Sequence, residues 1–434
     1  MGHITSKSYL KLQKRLDKAP QGVPESENLY KIFKILFTEK EAELLSVLPI
    51  NFFTPEKAAK LWKKDLDESK KILDELADKG ILFDFQSQKR QMYFLAPSMP
   101  GFIEFTLMRT DGKFNQKVLS ELFYKYINGE GDFTREVLGL KPAVGRTLIQ
   151  EETIQPKDKS VVLDYEKATE IIESASCIVV GNCYCRHKMH HVGKACDKPL
   201  ETCMSFNEVA KSLSKHNIAR KIDKDEALNI LDDCIDKGLM QIGDNIQDQV
   251  GFICNCCSCC CEGIQAYKEL GYSPKYKSNF ISKNPEKNCI TCGICVKRCP
   301  VDAIEMVEIE GKKKIKINED VCLGCGLCVK FCPTKNLYME RKKKLEVVPR
   351  DSFERIVLSA IETNKLQYIL FDKHHLLTHD LLQRFLGIFL GLKPVKQILV
   401  KRQVSSRFLN IATRTKIYSL FNELYNKGDR VDYR

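Results

Sequence analysis

The 434-residue sequence predicts a multidomain α+β protein. Three observations predict it. The N-terminal third runs through helix-like segments into two strands around a polar turn, all 20 cysteines fall between Cys177 and Cys332, and the C-terminal stretch is basic and amphipathic. A chain of this length has room for about two to four domains with their own cores. A mean hydropathy of −0.28 with 43% hydrophobic residues is that of a water-soluble globular chain. The expected divisions are a basic N-terminal arm (1–27), a winged-helix-like domain (28–98) and an α/β connecting region (99–175). A cysteine-rich metal-binding domain with a second winged-helix-like unit (176–272), a domain of repeated cysteine runs (273–345) and a helical basic C-terminal region (346–434) follow.

In the first domain, "TEKEAELLSVLP" and "TPEKAAKLWKKD" have helical spacing, and Thr54-Pro55 is a helix start. "LDESKKILDELADKG" continues as a helix, and "ILFDFQSQKRQMYFLA" reads as two strands around a polar turn, the order of a winged helix. Asp67–Leu82 aligns with Asp225–Met240, so a second such unit is expected to start near Phe206. The alternative is two amphipathic helices sharing a Lys-Gly stop. The candidate reading helix carries Asp67, Glu68, Asp74, Glu75 and Asp78 against Lys70, Lys71 and Lys79. Phosphate repels such a helix, so a DNA partner is not expected.

The N-terminus is lysine-bearing without an apolar core, and "FLGIFLGL" (Phe385–Leu392) is too short for a membrane-spanning helix, so a cytoplasmic location is expected. In that compartment clustered cysteines bind metal more often than they form disulfides.

"CITCGICVKRCP" sets Cys289, Cys292, Cys295 and Cys299 in a C-x2-C-x2-C-x3-C-P run, and "CLGCGLCVKFCP" repeats it at Cys322, Cys325, Cys328 and Cys332. Three cysteines at three-residue intervals wrap a tight loop round one face of an iron–sulfur cube, with Gly293, Gly324 and Gly326 permitting close backbone approach. These runs resemble the bacterial two-cluster ferredoxins over residues 283–340. The resemblance implies crossed ligation: Cys289, Cys292, Cys295 and Cys332 hold one [4Fe–4S] cluster, and Cys322, Cys325, Cys328 and Cys299 hold the other. Two zinc sites are the alternative, but zinc needs neither the third cysteine nor the C-P ending of each run. The insert Glu308–Asp320, with Gly311, Ile315 and Ile317, is expected to form a β-hairpin.

Twelve cysteines remain. Cys183, Cys185, Cys196 and Cys203 lie in "CYCRHKMHHVGKACDKPLETC", and Cys254, Cys256, Cys257, Cys259, Cys260 and Cys261 lie in "CNCCSCCC". From Cys261 onward Ile264, Tyr267 and Leu270 have helical spacing, so the second group sits on a loop entering a helix. Its thiols are expected to diverge and to complete one or two further metal centres with the first group. An additional [4Fe–4S] cluster is favoured and zinc is the rival. His187, His190 and His191 are either ligands or a solvated basic face, and Arg186 and Lys188 are placed to offset cluster charge. Cys177 and Cys234 are expected as small buried hydrophobes. The layout resembles larger iron–sulfur proteins of anaerobes.

No GxGxxG or GxxxxGK[ST] occurs, and no nucleophile–base pair is evident. The expected function is therefore low-potential electron transfer to a partner enzyme or enzyme complex. The alternatives are a redox-sensing transcription regulator, and a reductase with an open-site cluster in the 183–261 region. Between Gln383 and Lys427 nine basic residues face one acidic residue, Glu423, among apolar positions such as Phe385, Phe389, Ile398, Phe408 and Leu420. Such a tail suits an anionic membrane periphery, the protein's own core or a partner subunit.

Overall fold

The computed structural model describes residues 6–87, 90–271, 276–346 and 348–370, so the basic stretch Gln383–Lys427 lies outside the described residues. The chain divides into two compact units. One comprises residues up to 106 together with those from 351, and the other is residues 107–350. Among the described residues no helix is long and apolar enough to cross a membrane.

The first unit opens with α1 (Lys7–Leu16), α2 (Glu27–Leu36), α3 (Glu39–Ser46), α4 (Pro55–Trp62) and α5 (Leu66–Asp78). The strands β1 (Leu82–Ser87) and β2 (Arg90–Leu95) follow. The helix starts are chemically marked. Ser26, Thr38, Thr54 and Asp65 each accept a hydrogen bond from a first-turn backbone N–H, which satisfies donors the helix cannot. Helical spacing turns Leu29, Ile32, Phe33, Leu45, Leu73 and Leu76 inward, and each is buried. The strands pair antiparallel, Leu82 opposite Leu95 and Ser87 opposite Arg90. Of these, α3, α4, α5 and the hairpin are the elements the sequence pattern predicts; α1, inside the stretch expected as a basic arm, and α2 are additions.

The second unit is α+β around a six-stranded antiparallel sheet in the order β3-β7-β8-β5-β4-β6. In chain order its elements begin with α6 (Gln116–Tyr124), β3 (Gly145–Thr147), α7 (Ala168–Ser174), β4 (Ile178–Asn182), α8 (Tyr184–His191) and β5 (Glu201–Phe206). The chain continues through α9 (Asn207–Lys215), β6 (Arg220–Ile222), α10 (Lys224–Asp236), β7 (Met240–Asp244), β8 (Phe252–Cys256) and α11 (Glu262–Glu269). It ends with β9 (Phe280–Lys283), α12 (Ile294–Arg298), β10 (Ile304–Ile309), β11 (Lys312–Ile317), α13 (Leu327–Lys330) and β12 (Tyr338–Arg341). The insert expected as a hairpin is one, β10 pairing antiparallel with β11 around Gly311. The strands after α10 pair with each other and are built into the large sheet.

Sheet topology positions the cysteines. β8, β5 and β4 are consecutive neighbours and antiparallel. The end of β4, the start of β5 and the end of β8 therefore lie at one edge of the sheet. Cys183 follows β4, Cys203 is the third residue of β5, and Cys254 and Cys256 lie in the last three residues of β8. A strand alternates its side chains, so Cys254 and Cys256 share one face while Asn255 turns to the other. The register that sets Met204 opposite Ile253 continues to Cys203 beside Cys254.

Candidate metal centres

All twenty cysteines are free thiols, and the second unit gathers eighteen of them into four sets. The two it leaves out are the ones the sequence sets aside. Cys234 is fully buried on α10, where burial pushes its thiol up to about 12. Cys177 differs from its expected burial: it is half-exposed just before β4.

The first set borders a surface hollow lined by Cys289, Cys292, Cys295 and, from the second run, Cys332. Ile290 at its rim is 62% exposed, and Cys292 is exposed. Cys332 lies close to Thr334, Sγ to Oγ1 3.7 Å, and backbone N–H groups of Leu337, Asn336 and Thr334 draw its thiol down against the upward pull of burial. Such N–H groups are donors a cluster thiolate can use.

The second set is Cys322, Cys325, Cys328 and Cys299, and it is deeper. Burial pushes the Cys325 and Cys328 thiols up, and the neighbouring cysteines, Cys299 and Cys322 among them, push the same way. Cys299 Sγ accepts the Ala303 N–H at 3.2 Å, and Cys328 Sγ lies 3.2 Å from Ser282 Oγ. Gly324 holds this loop with φ +75°, and a β-carbon there would run into the Phe280 carbonyl, so both conformation and space require glycine.

The third set is a closed ring the sequence does not announce. Cys183 interacts with Cys185 and Cys203, Cys203 with Cys254, Cys254 with Cys256, Cys256 with Cys261, and Cys261 with Cys185. Five of the six are buried and Cys254 is half-buried. Around the ring the thiols alternate. Contacts with neighbours draw Cys183, Cys254 (to about 6) and Cys261 down, while Cys203 and Cys256 are pushed up by theirs and Cys185 by burial first. Thiolates crowded this closely repel one another, so the six cannot all ionise unaided; a metal centre deprotonates its ligands outright and removes that conflict. Cys183 and Cys261 precede the first residues of α8 and α11, where the helix dipole favours a thiolate. The Glu262 N–H faces Cys185 Sγ at 3.5 Å.

The fourth set is Cys196, Cys257, Cys259 and Cys260, whose Sγ atoms all lie within 4.8 Å of one another. The structure thus parts Cys196 from Cys183, Cys185 and Cys203, and parts Cys257, Cys259 and Cys260 from their neighbours on either side. The divergence expected of a loop entering a helix is present: Cys261 caps α11 while the cysteines just before it turn away.

The basic segment after Cys185 departs from a solvated face. Arg186, His187 and Lys188 are buried, and only His190 is exposed. Arg186 donates to the Asn255 carbonyl at 3.3 Å and to Thr202 Oγ1 at 3.3 Å, and its Nη2 lies 3.5 Å from Cys257 Sγ. Burial opposes its charge, and the Cys183 and Cys257 thiolates outweigh burial to hold the guanidinium protonated. His187 uses one ring nitrogen on the Leu107 carbonyl (2.6 Å) and the other on His191 (3.1 Å), so its contacts are not with sulfur. Lys188 is paired with Glu262, both buried, and Asn128 bridges them, donating to Glu262 at 2.8 Å. The sequence offers one cue to this pair: a carboxylate directly after the last cysteine of an otherwise uncharged run.

One apolar core connects the second and third sets. Cys256 and Cys261 of the ring pack with Ile264, Tyr267, Tyr276 and Leu323 into the cluster that holds Cys322 and Cys325, with Cys254 and Cys299 against it. Tyr267 of α11 donates to the Val321 carbonyl at 3.1 Å, tying the ring's helix to the Cys322 loop. A second apolar cluster joins the first and second sets through Cys295, Cys328, Ile304 and Ile315, with Cys289, Cys299 and Cys332 packed on it.

Residues 280–339 match the family model of a 4Fe-4S dicluster domain. The chain carries a dicluster ferredoxin module within a larger cysteine-rich protein, and iron–sulfur electron transfer is its general class. No curated protein and no solved structure matches the chain.

Proposed function

We propose that the protein relays electrons between a partner and a deep third centre through the two sets of the ferredoxin module. Cys289, Cys292, Cys295 and Cys332 form the outer set, and Cys322, Cys325, Cys328 and Cys299 the inner one. The ring of Cys183, Cys185, Cys203, Cys254, Cys256 and Cys261 is the third. The observation that carries this reading is the shared apolar core containing cysteines of both the ring and the inner set. Iron–sulfur clusters supply one-electron exchange when bound. The chain's own residues supply the rest. Thiolates hold the centres, and Leu323, Leu327, Ile264 and Tyr267 exclude water between ring and inner set. Arg186 offsets negative charge at the ring. The exposed Cys292 and Ile290 make the outer set the face a redox partner protein would meet. Burial of the ring favours a relay over a reductase, whose substrate would need to reach the metal. The free thiols suit a reducing, cytoplasmic setting. The acidic face of α5 argues for the first unit as a winged-helix-like protein-binding module rather than a DNA reader, and the basic tail remains suited to an anionic membrane periphery or a partner subunit.

Stepwise reduction of the full chain, followed by EPR, tests the reading. Replacing Cys183 and Cys256 together by Ser is expected to remove one reducible spin system and leave the coupled pair of the ferredoxin module. An unchanged set of signals would refute a centre in the ring.

A further inference from the structure

We propose that Cys196, Cys257, Cys259 and Cys260 form a closed tetrathiolate site for a single zinc ion, separate from every iron–sulfur set of the chain. The site itself rests on no part of the electron-transfer reading; only its role beside the ring does. The four sulfurs all lie within 4.8 Å of one another. Three edges of their tetrahedron are 3.6 Å (Cys196–Cys257), 3.7 Å (Cys259–Cys260) and 3.9 Å (Cys196–Cys260). A metal bonded to four sulfurs at about 2.3 Å sets those edges at about 3.8 Å. A four-iron cube instead binds each thiolate to a different iron at a separate corner, and so holds its thiolates farther apart than one shared ion does. This set is therefore sized for one ion and too small for a cube. The ring differs in this respect: no three of its thiols form a comparably tight group.

Ligand chemistry selects the ion. Four cysteines with no remaining coordination position make the composition of structural zinc sites. Divalent zinc also binds such ligands more tightly than divalent iron. A tetrathiolate zinc carries a net charge of about −2, and the buried Arg186 guanidinium, 3.5 Å from Cys257 Sγ, offsets part of it. Cys259 is exposed, and coordination by a redox-inert ion would protect it from oxidation.

Placement indicates what the ion does. Cys257, Cys259 and Cys260 form the turn between β8 and α11, flanked by the ring cysteines Cys256 and Cys261. Cys196 comes from the loop between α8 and β5, flanked in sequence by Cys185 and Cys203. Zinc would clip together the two loops whose ends carry the ring. Its role is to hold ring geometry, and the electrons need not visit it.

The test uses the full chain purified without oxygen, with zinc and iron measured in the same sample for wild type, Cys196→Ser and Cys259→Ser. About one zinc per chain is expected in wild type and none in either variant, with the ferredoxin iron retained in both. In parallel, protein produced in cobalt-supplemented, zinc-depleted medium is expected to show the absorption of tetrahedral cobalt in four thiolates, which decides the matter even if the variants do not fold. Wild type without zinc, a mononuclear iron signal in its place, zinc retained in both variants, or no tetrahedral cobalt spectrum would each overturn the proposal.

Discussion

Cys299→Ser is expected to empty the inner set and spare the outer one, although Cys299 belongs by sequence to the outer loop. The module should lose about half of its iron, roughly four of eight atoms. Cys299 packs in the same core as Cys322 and Cys325, and its thiol is pushed up first by burial and further by Cys322. The hollow that takes Cys289, Cys292 and Cys295 is completed instead by Cys332. Iron analysis with EPR of the reduced variant checks this. The outer signal should persist without the broadening a neighbouring paramagnet causes; selective loss of the outer set would show that the ligands do not cross.

Glu262→Gln is expected to destabilise the second unit by about 3–5 kcal/mol, because it leaves the Lys188 ammonium buried beside a neutral amide. Lys188 and Glu262 are both buried, and the other groups beside them, Asn128 and the Tyr124 ring under the Lys188 ammonium, carry no charge. The pair links α8 to α11, the two helices that begin next to ring cysteines, so the ring should load with metal less completely as well. Replacing both residues, with Lys188→Met and Glu262→Leu, should recover most of the loss, since apolar side chains need no compensation there. Calorimetry of the anaerobic proteins compares the three forms. Equal losses in the single and double variants would mean that shape, not charge, matters at this pair.

Much of the molecule was legible in the chain. The helix start at Thr54-Pro55, the helices α3 to α5, the hairpin after α5 and the hairpin in the insert all follow from local chemistry: a capping hydroxyl before proline, apolar residues at helical spacing, and alternating apolar residues around a turn. The repeated runs disclose the dicluster module because their spacing is dictated by a cube. The division of the other cysteines was not legible, since it depends on strand order. Only when β4, β5 and β8 lie side by side do Cys183, Cys203 and Cys254 meet, and those positions are far apart in sequence. Cys196 carries no local mark separating it from Cys203. The burial of Arg186 and Lys188 was hidden for a similar reason: each charge is compensated by groups brought from Pro199, Asn255 and Glu262 by tertiary packing.

The most direct test of the account is the iron content of the full chain after anaerobic purification, read by native mass spectrometry so that zinc and iron are resolved on one molecule. The account predicts about twelve or more irons per chain, two cubes of four and at least as many in the ring. About eight irons, with all six ring cysteines alkylated as free thiols once the chain is unfolded, would contradict it.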